Sequence, residues 1–197
     1  MIAVIGILLA AFLPALAKRR ARSSRIGCTN NLKQIGLSFK QWALDNGDKY
    51  PMQVSVTNGG ALELIASGDI HAIFRVMSNE LNTPKILCCP EDTNRSAATN
   101  WNFLRTRNLS YFVGLDATDS FPQMIISGDD NFFINGAKPR SGLVSLSTND
   151  TASWQPTRHI NQGNVLLGDG SVQSCSSPRL NAALCFSGIA TNRLLMP

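Results

Sequence analysis

The chain opens with "MIAVIGILLAAFLPALA", seventeen residues without a charge, cut off by "KRRARSSR". No other feature narrows the possible folds as much. A secretory signal peptide places its basic residues before the apolar core and a small-residue cleavage site after it. Here the basic residues come second. A membrane-spanning helix needs about 20 apolar residues to cross roughly 30 Å of hydrocarbon, slightly more than this run offers. A buried core helix is the third reading, but soluble helices seldom show apolar residues on every face. The run does, so it is read as a lipid-embedded helix, with Pro14 predicting a kink of the kind membrane helices tolerate.

Lys18, Arg19, Arg20, Arg22 and Arg25 follow directly, and the positive-inside rule alone would place them and the rest of the chain in the cytoplasm. They also account for most of the charge asymmetry. The chain has 18 basic and 13 acidic residues, and setting these five aside leaves the remainder close to neutral, which argues against nucleic-acid binding. The cluster suits anionic lipid headgroups. At 197 residues the chain amounts to an anchor over residues 1–24 and one head over residues 25–197.

After the basic cluster, Cys28, Leu32, Ile35, Phe39 and Trp42 recur at helical spacing, so one helix face is apolar. Asn46-Gly47 supplies a left-handed stop and Pro51 forbids resumption. Nothing between Ala17 and Ser24 breaks the helix, so anchor and amphipathic segment are predicted to form one rod of roughly 70 Å. A second helix is predicted from Ile70 to Leu81, capped by Asp69, with Ile70, Ile73, Phe74, Met77 and Leu81 inward and His71 exposed beside that stripe. From about Leu109 short runs separated by Gly, Asn, Asp and Pro read as strands: "LSYFVGL", "QMIISGD", "FFING", "GLVSLS" and "NVLLGDGSVQS". The last is a hairpin, with Gly168-Asp169-Gly170 in the turn. Helices first and antiparallel strands afterwards make the fold class α+β.

In that order, "PALAKRRARSSRIGCTNNLKQIGLSFKQWALDNGDKYP", "CPED", "SYFVGLDA", "PQMIISGDDN" and "HINQGNVLLGDGSVQ" resemble the type IV pilin-like proteins. Among these the chain is similar to the type II secretion pseudopilin relatives abundant in Planctomycetes and Verrucomicrobia, whose terminal signature is a His, nine residues, then Asp-Gly. His159 and Asp169-Gly170 keep that spacing. The resemblance implies a pilin-like fold, in which the long first helix packs on an antiparallel sheet. It also implies a non-enzymatic subunit of a type II secretion or type IV pilus-like assembly, single-pass in the inner membrane with its head in the periplasm or outside. Its partners would be other pilin-like subunits, the inner-membrane machinery and lipid, with no nucleic acid. Prepilins carry a basic leader ending in glycine, then a Phe-Thr-Leu-Ile-Glu-Leu stretch. Neither is in this sequence, which aligns Met1 with the helix interior and puts the expected start of translation upstream.

Several residues invite other chemistry. His159 and Asp169 could face each other from neighbouring strands as a hydrolytic pair, but an enzyme would also need a nucleophile and an oxyanion site. The reading preferred here gives Asp169-Gly170 the turn and His159 a local backbone partner. Asp116, Asp119, Asp129 and Asp130 crowd oxygen-rich loops that suit calcium, which some major pseudopilins hold in their heads, or plain turn chemistry. Of the five cysteines, the adjacent Cys88 and Cys89 suit neither a structural metal site nor an ordinary local bridge. Cys175 and Cys185 bracket "SSPRLNAAL", read as a loop, and can form a disulfide in an oxidising compartment. No cofactor other than calcium is suggested, and there is no phosphate-binding loop. The alternative to a filament subunit is a membrane-anchored, outward-facing receptor head that binds a glycan or another ligand.

Overall fold

The computed structural model describes residues 2–118, 120–185 and 187–197, with side chains from residue 23 onward. Helix α1, Ile2–Asp45, is continuous over 44 residues, about 66 Å. Among the described residues no helix is long and apolar enough to cross a membrane. The side chains of the apolar run and the kink expected at Pro14 lie outside them. The predicted stripe is the buried face: Cys28, Leu32, Ile35 and Phe39 are fully buried, and Trp42 nearly so. The helix stops where Gly47 and Asp48 take left-handed dihedrals, at φ of 65° and 59°, and Asp48 N–H bonds back to the Ala43 carbonyl.

The segment read as a second helix is two: α2, Ile70–Val76, and α3, Ser78–Leu81. They part at Met77, whose φ of −90° and ψ of 23° leave the helical region. The stripe Ile70, Ile73, Phe74, Met77 and Leu81 is nevertheless buried throughout, and Asp69 caps α2 by accepting from Ala72 N–H. His71 is not simply exposed: it is half-buried, with Nδ1 2.5 Å from Asp69 and Nε2 2.9 Å from the Thr106 hydroxyl.

Among the described residues eight strands follow: β1, Tyr111–Gly114; β2, Ile125–Asp129; β3, Phe132–Ile134; β4, Gly142–Ser147; β5, Ala152–Trp154; β6, Gln162–Leu167; β7, Val172–Ser176; and β8, Thr191–Met196. Helix α4, Ser177–Cys185, separates β7 from β8. Six strands form one sheet in the order β4-β8-β1-β2-β6-β7, every described pairing antiparallel, while β3 and β5 form a separate ribbon. The fold is therefore mixed α+β, an N-terminal helix with an antiparallel sheet.

Both faces of the sheet are covered. Tyr111, Val113, Ile126, Leu166 and Leu195 join α1, α2 and α3 in one apolar core. Their strand neighbours Phe112, Ile125, Val165, Leu167 and Leu194 join α4 and the β3-β5 ribbon in a second. Alternation with period two thus feeds two cores from one sheet, which is why the central strands are buried at every position. Helix α1 lies close on β6 because Gly36 has no side chain: a Cβ there would meet a Leu166 methyl at 2.6 Å.

The disulfide joins Cys28 to Cys89, with Cα atoms 5.1 Å apart, and corrects the pairing expected from sequence. Cys175 and Cys185 are free and buried. Cys175 lies in β7 and Cys185 ends α4, so a strand end and a helix occupy the segment expected to be a loop. The bridge ties the buried face of α1 to the segment before β1 and closes a loop with a sequence separation of 61. Loop-closure entropy puts its worth at about 4 kcal/mol. Reductant should lower the unfolding free energy of the wild-type protein in urea titration by that amount and do the same in a Cys175→Ala, Cys185→Ala double variant. It should have no further effect on Cys89→Ala.

The β6-β7 hairpin is as predicted, with one refinement. Among the described turn residues only Gly170 has positive φ, at 84°, and Gly170 N–H bonds to the Leu167 carbonyl at 2.9 Å. A Cβ on Gly170 would meet nothing within 4 Å, so a substitution there is opposed by backbone conformation alone. Gly170→Val should cost about 1 to 3 kcal/mol in urea unfolding, and Gly170→Asn distinctly less. Equal costs for the two would mean that side-chain crowding, not φ, sets the preference.

Candidate functional site

Where β1 begins opposite the end of β2, Tyr111 pairs with Asp129, and two further segments close over that end of the sheet. One is the segment 88–95, led in by the 3-10 turn Pro84–Leu87 and tied down by Ser110 N–H to the Leu87 carbonyl at 2.9 Å. The other runs from Gln155 at the end of the ribbon to Asn161, held by Gln155 N–H to the Asn131 carbonyl at 2.8 Å.

These segments enclose a charge network around Arg158. The guanidinium is almost wholly buried; Nη1 lies 3.0 Å from Asp92 Oδ2 and Nη2 donates to Asp130 Oδ1. Arg95 Nη1 lies 2.6 Å from Asp130 Oδ2 and 3.3 Å from Asp92 Oδ2, and the Ser110 hydroxyl donates to Asp92 Oδ2 at 2.9 Å. Two arginines thus neutralise two carboxylates away from bulk water. Burial works against the charge on Arg158, but Asp130, Asp129 and Asp92 outweigh it and hold its pKa above the ordinary value. Burial also pushes up the neighbouring Cys88 thiol, which leaves it a poor nucleophile.

His159 is the next residue, and its side chain is fully buried. Nδ1 lies 2.5 Å from Glu91 Oε2, while Nε2 lies 3.5 Å from both Asp129 Oδ2 and the Cys89 sulfur. Asp129 Oδ2 accepts from the backbone and side-chain amides of Asn164 at 2.7 and 2.9 Å. Burial pushes the Asp129 carboxyl above its usual range, offset in part by His159 and Arg158 and by the Asn164 bonds. The backbone here is unusual. His159, Ile160 and Asn161 have φ of 54°, 52° and 56°, three successive left-handed residues without a glycine, and the β-branched Ile160 is 80% exposed. Such conformations cost of order 1–3 kcal/mol each and persist only where surrounding contacts impose them. The buried anchors Arg158 and His159 supply those contacts.

The residues singled out from sequence do not all meet. Asp129 and Asp130 belong to the buried cluster, whereas Asp116 lies past the far end of β1, where it accepts from Arg193 N–H at 2.7 Å and from Nε at 2.8 Å. Asp119 lies outside the described residues. The expected oxygen-rich calcium cluster is therefore not assembled by Asp116, Asp129 and Asp130. His159 and Asp169 sit at opposite ends of β6, separated by a six-residue strand of about 20 Å, so they cannot act on one atom. Asp169 is exposed and shapes the turn: its Oδ1 accepts from Ser171 N–H at 2.8 Å, and its bonds to Ser171 lower its pKa.

Among the described residues one group has metal-ligand spacing: the Cys28 and Cys89 sulfurs and a His159 ring nitrogen lie within 4.8 Å of one another. The two sulfurs are bonded to each other, however, and the metal-binding form of cysteine is the thiolate. Arg158, Asp92, Arg95, Glu91 and Asn164 were not singled out from sequence. Charged residues are mostly solvent-exposed, so nothing in "CPED" or "TRHIN" marks its charges as buried. The placement of Arg158 directly before His159 was the one available hint. Comparison with family models, curated proteins and solved structures gives no match in any of the three.

The raised pKa of Asp129 has a definite sign in stability. Between the ordinary carboxylate value of about 3.9 and the raised native value, the folded chain holds more protons than the unfolded one, so Asp129 makes stability fall as pH rises through that window. Asp129→Asn removes this contribution. In urea unfolding at several pH values, the variant should gain on the wild type as pH rises from the carboxylate range upward. A difference that does not change with pH would mean that Asp129 is ionised in the fold as readily as in water.

Proposed function

We propose that the chain is a non-enzymatic, pilin-like structural subunit of a type II secretion or type IV pilus-like assembly. In this reading the apolar start of α1 sits in the inner membrane and the α+β head lies on its outer side. The carrying observation is the division of α1. Among the residues whose side chains are described, from residue 23 onward, its buried face runs from Cys28 to Ala43, about 24 Å of a helix about 66 Å long. The head takes that part, and the uncharged run over residues 1–17 of the sequence supplies the part that this reading places in lipid. The Cys28–Cys89 disulfide fits a head in an oxidising compartment. The order of the sequence motifs, ending in His159 and Asp169-Gly170, supplies the family resemblance.

In this reading the subunits associate through α1. Lipid gives apolar helices no hydrophobic reason to pair, so close packing at small residues such as Ala3, Gly6, Ala10 and Ala11 would contribute. The buried polar cluster has a structural part, fixing to one another the segments that close over the end of the sheet.

The test is to express the gene with its upstream codons and a tag at the C-terminus. The head should fractionate with membranes, be cut by protease added from the periplasmic side, carry oxidised Cys28 and Cys89, and crosslink through α1 to pilin-like proteins. A head protected in the cytoplasm with both thiols free would overturn the proposal.

A further inference from the structure

Beside the Arg158 network lies a cavity of about 330 Å³, at the lower end of the size range of small-molecule sites. We propose that it binds a hydroxylated carboxylate of the uronic-acid class, as a free sugar acid or as one residue of an acidic glycan. The inference does not depend on the assembly role, since a head that never entered a filament would carry the same cavity.

The sign of the ligand follows from the charges. Asp92 and Asp130 line the cavity but are already neutralised by Arg95 and Arg158. Arg107 and Lys138 also line it, are exposed, and have no carboxylate partner among the described residues. The surplus is positive, and an arginine fork beside an ammonium suits a carboxylate. An amino acid would bring its own ammonium into that surplus.

The need for hydroxyls follows from Asn131. This side chain lines the cavity and is 4% exposed. Its Nδ2 donates to the Arg158 carbonyl at 3.3 Å, while its Oδ1 is buried with no donor facing it. A buried acceptor of this kind calls for a donor. A bare carboxylate such as acetate offers none. A sugar hydroxyl donates and accepts at once, so it can meet the remaining lone pairs of the floor carboxylates and, once the buried Asn131 amide turns toward the cavity, its Oδ1 as well. No aromatic ring lines the cavity among the described residues, so affinity rests on charge and hydrogen bonds, not on stacking.

The experiment is calorimetric titration of the full chain in detergent with galacturonate, glucuronate, galactose, acetate and an oligogalacturonide. Both uronates should bind, with galactose and acetate weaker by about tenfold or more, the loss expected when a charge-assisted pair or a hydroxyl contact is missing. The affinity should fall with added salt. Arg107→Gln combined with Lys138→Gln, both exposed and outside the network, should leave the melting temperature unchanged and weaken uronate binding by about tenfold. Asn131→Asp should weaken it as well; if that variant does not fold, the rim variant decides. Tighter binding of the oligogalacturonide than of the monomer would assign the site to a glycan, and equal binding to a free sugar acid. The proposal is overturned if neither uronate binds, if galactose binds as well as galacturonate, if acetate binds as well as either, or if the rim variant binds unchanged.

Discussion

Contact between one face of α1 and one face of the sheet dictates most of the head's architecture. Cys28, Leu32, Ile35, Phe39 and Trp42 spend their apolar surface on Ile126, Leu166 and the α2-α3 pair, and fully burying each large side chain is worth about 1.5 to 3 kcal/mol. Gly36 lets the helix come close enough for that contact at Leu166. With one sheet face occupied, the alternate residues Phe112, Ile125, Val165, Leu167 and Leu194 must be covered from the other side, which α4 and the β3-β5 ribbon do. A strand with polar alternation could have faced water. These strands could not, so the second core is a consequence of the first.

The same arrangement creates a problem at the end of the sheet where Asp129, Asp130 and Ser110 emerge. Polar backbone and carboxylates there lie close to both cores, where an unpaired charge would cost several kcal/mol. Arg158 and Arg95 answer it by pairing with Asp92 and Asp130, and His159 fills the space between Glu91, Asp129 and the disulfide. A buried network of this kind adds little net stability over an apolar replacement, yet removing one member strands its partner. Its effect is to fix three chain segments relative to one another. A rigid polar wall is also what a cavity needs if its groups are to face a ligand without reorganising.

Features set by neighbours in the chain were legible in the sequence. The α1 stripe, its stop at Asn46-Gly47, the Asp69 cap and the turn at Gly170 each depend on a few adjacent residues, and all four occur. Features set at long range were not. Strand β8 sits between β4 and β1, paired to residues far back in the chain, and its own burial runs exposed-to-buried without alternation. The Cys28–Cys89 bridge spans 61 positions, whereas the expected pair was only ten apart and a helix intervenes. Helix α4 has a local signal that a reading of the segment as a loop does not use: Pro178 in its first turn, with Leu180 and Leu184 four apart. The carboxylates around Arg158 come from two distant segments, so no spacing in the sequence connects them.

The spacing from His159 to Asp169-Gly170 takes on a different meaning in this fold. It suggested two groups close enough to react, yet the residues lie at opposite ends of β6. What the spacing measures is a strand. At one end the chain leaves the buried network through three left-handed residues, and at the other it reverses at a glycine with positive φ. Between these points β6 must run long enough to pair with β2 on one side and β7 on the other, in the register that places Leu166 under α1 and Leu167 in the opposite core. One residue more or fewer would exchange those two faces. A fixed interval between a buried anchor and a turn is therefore a requirement of register, and it needs no reaction to explain it.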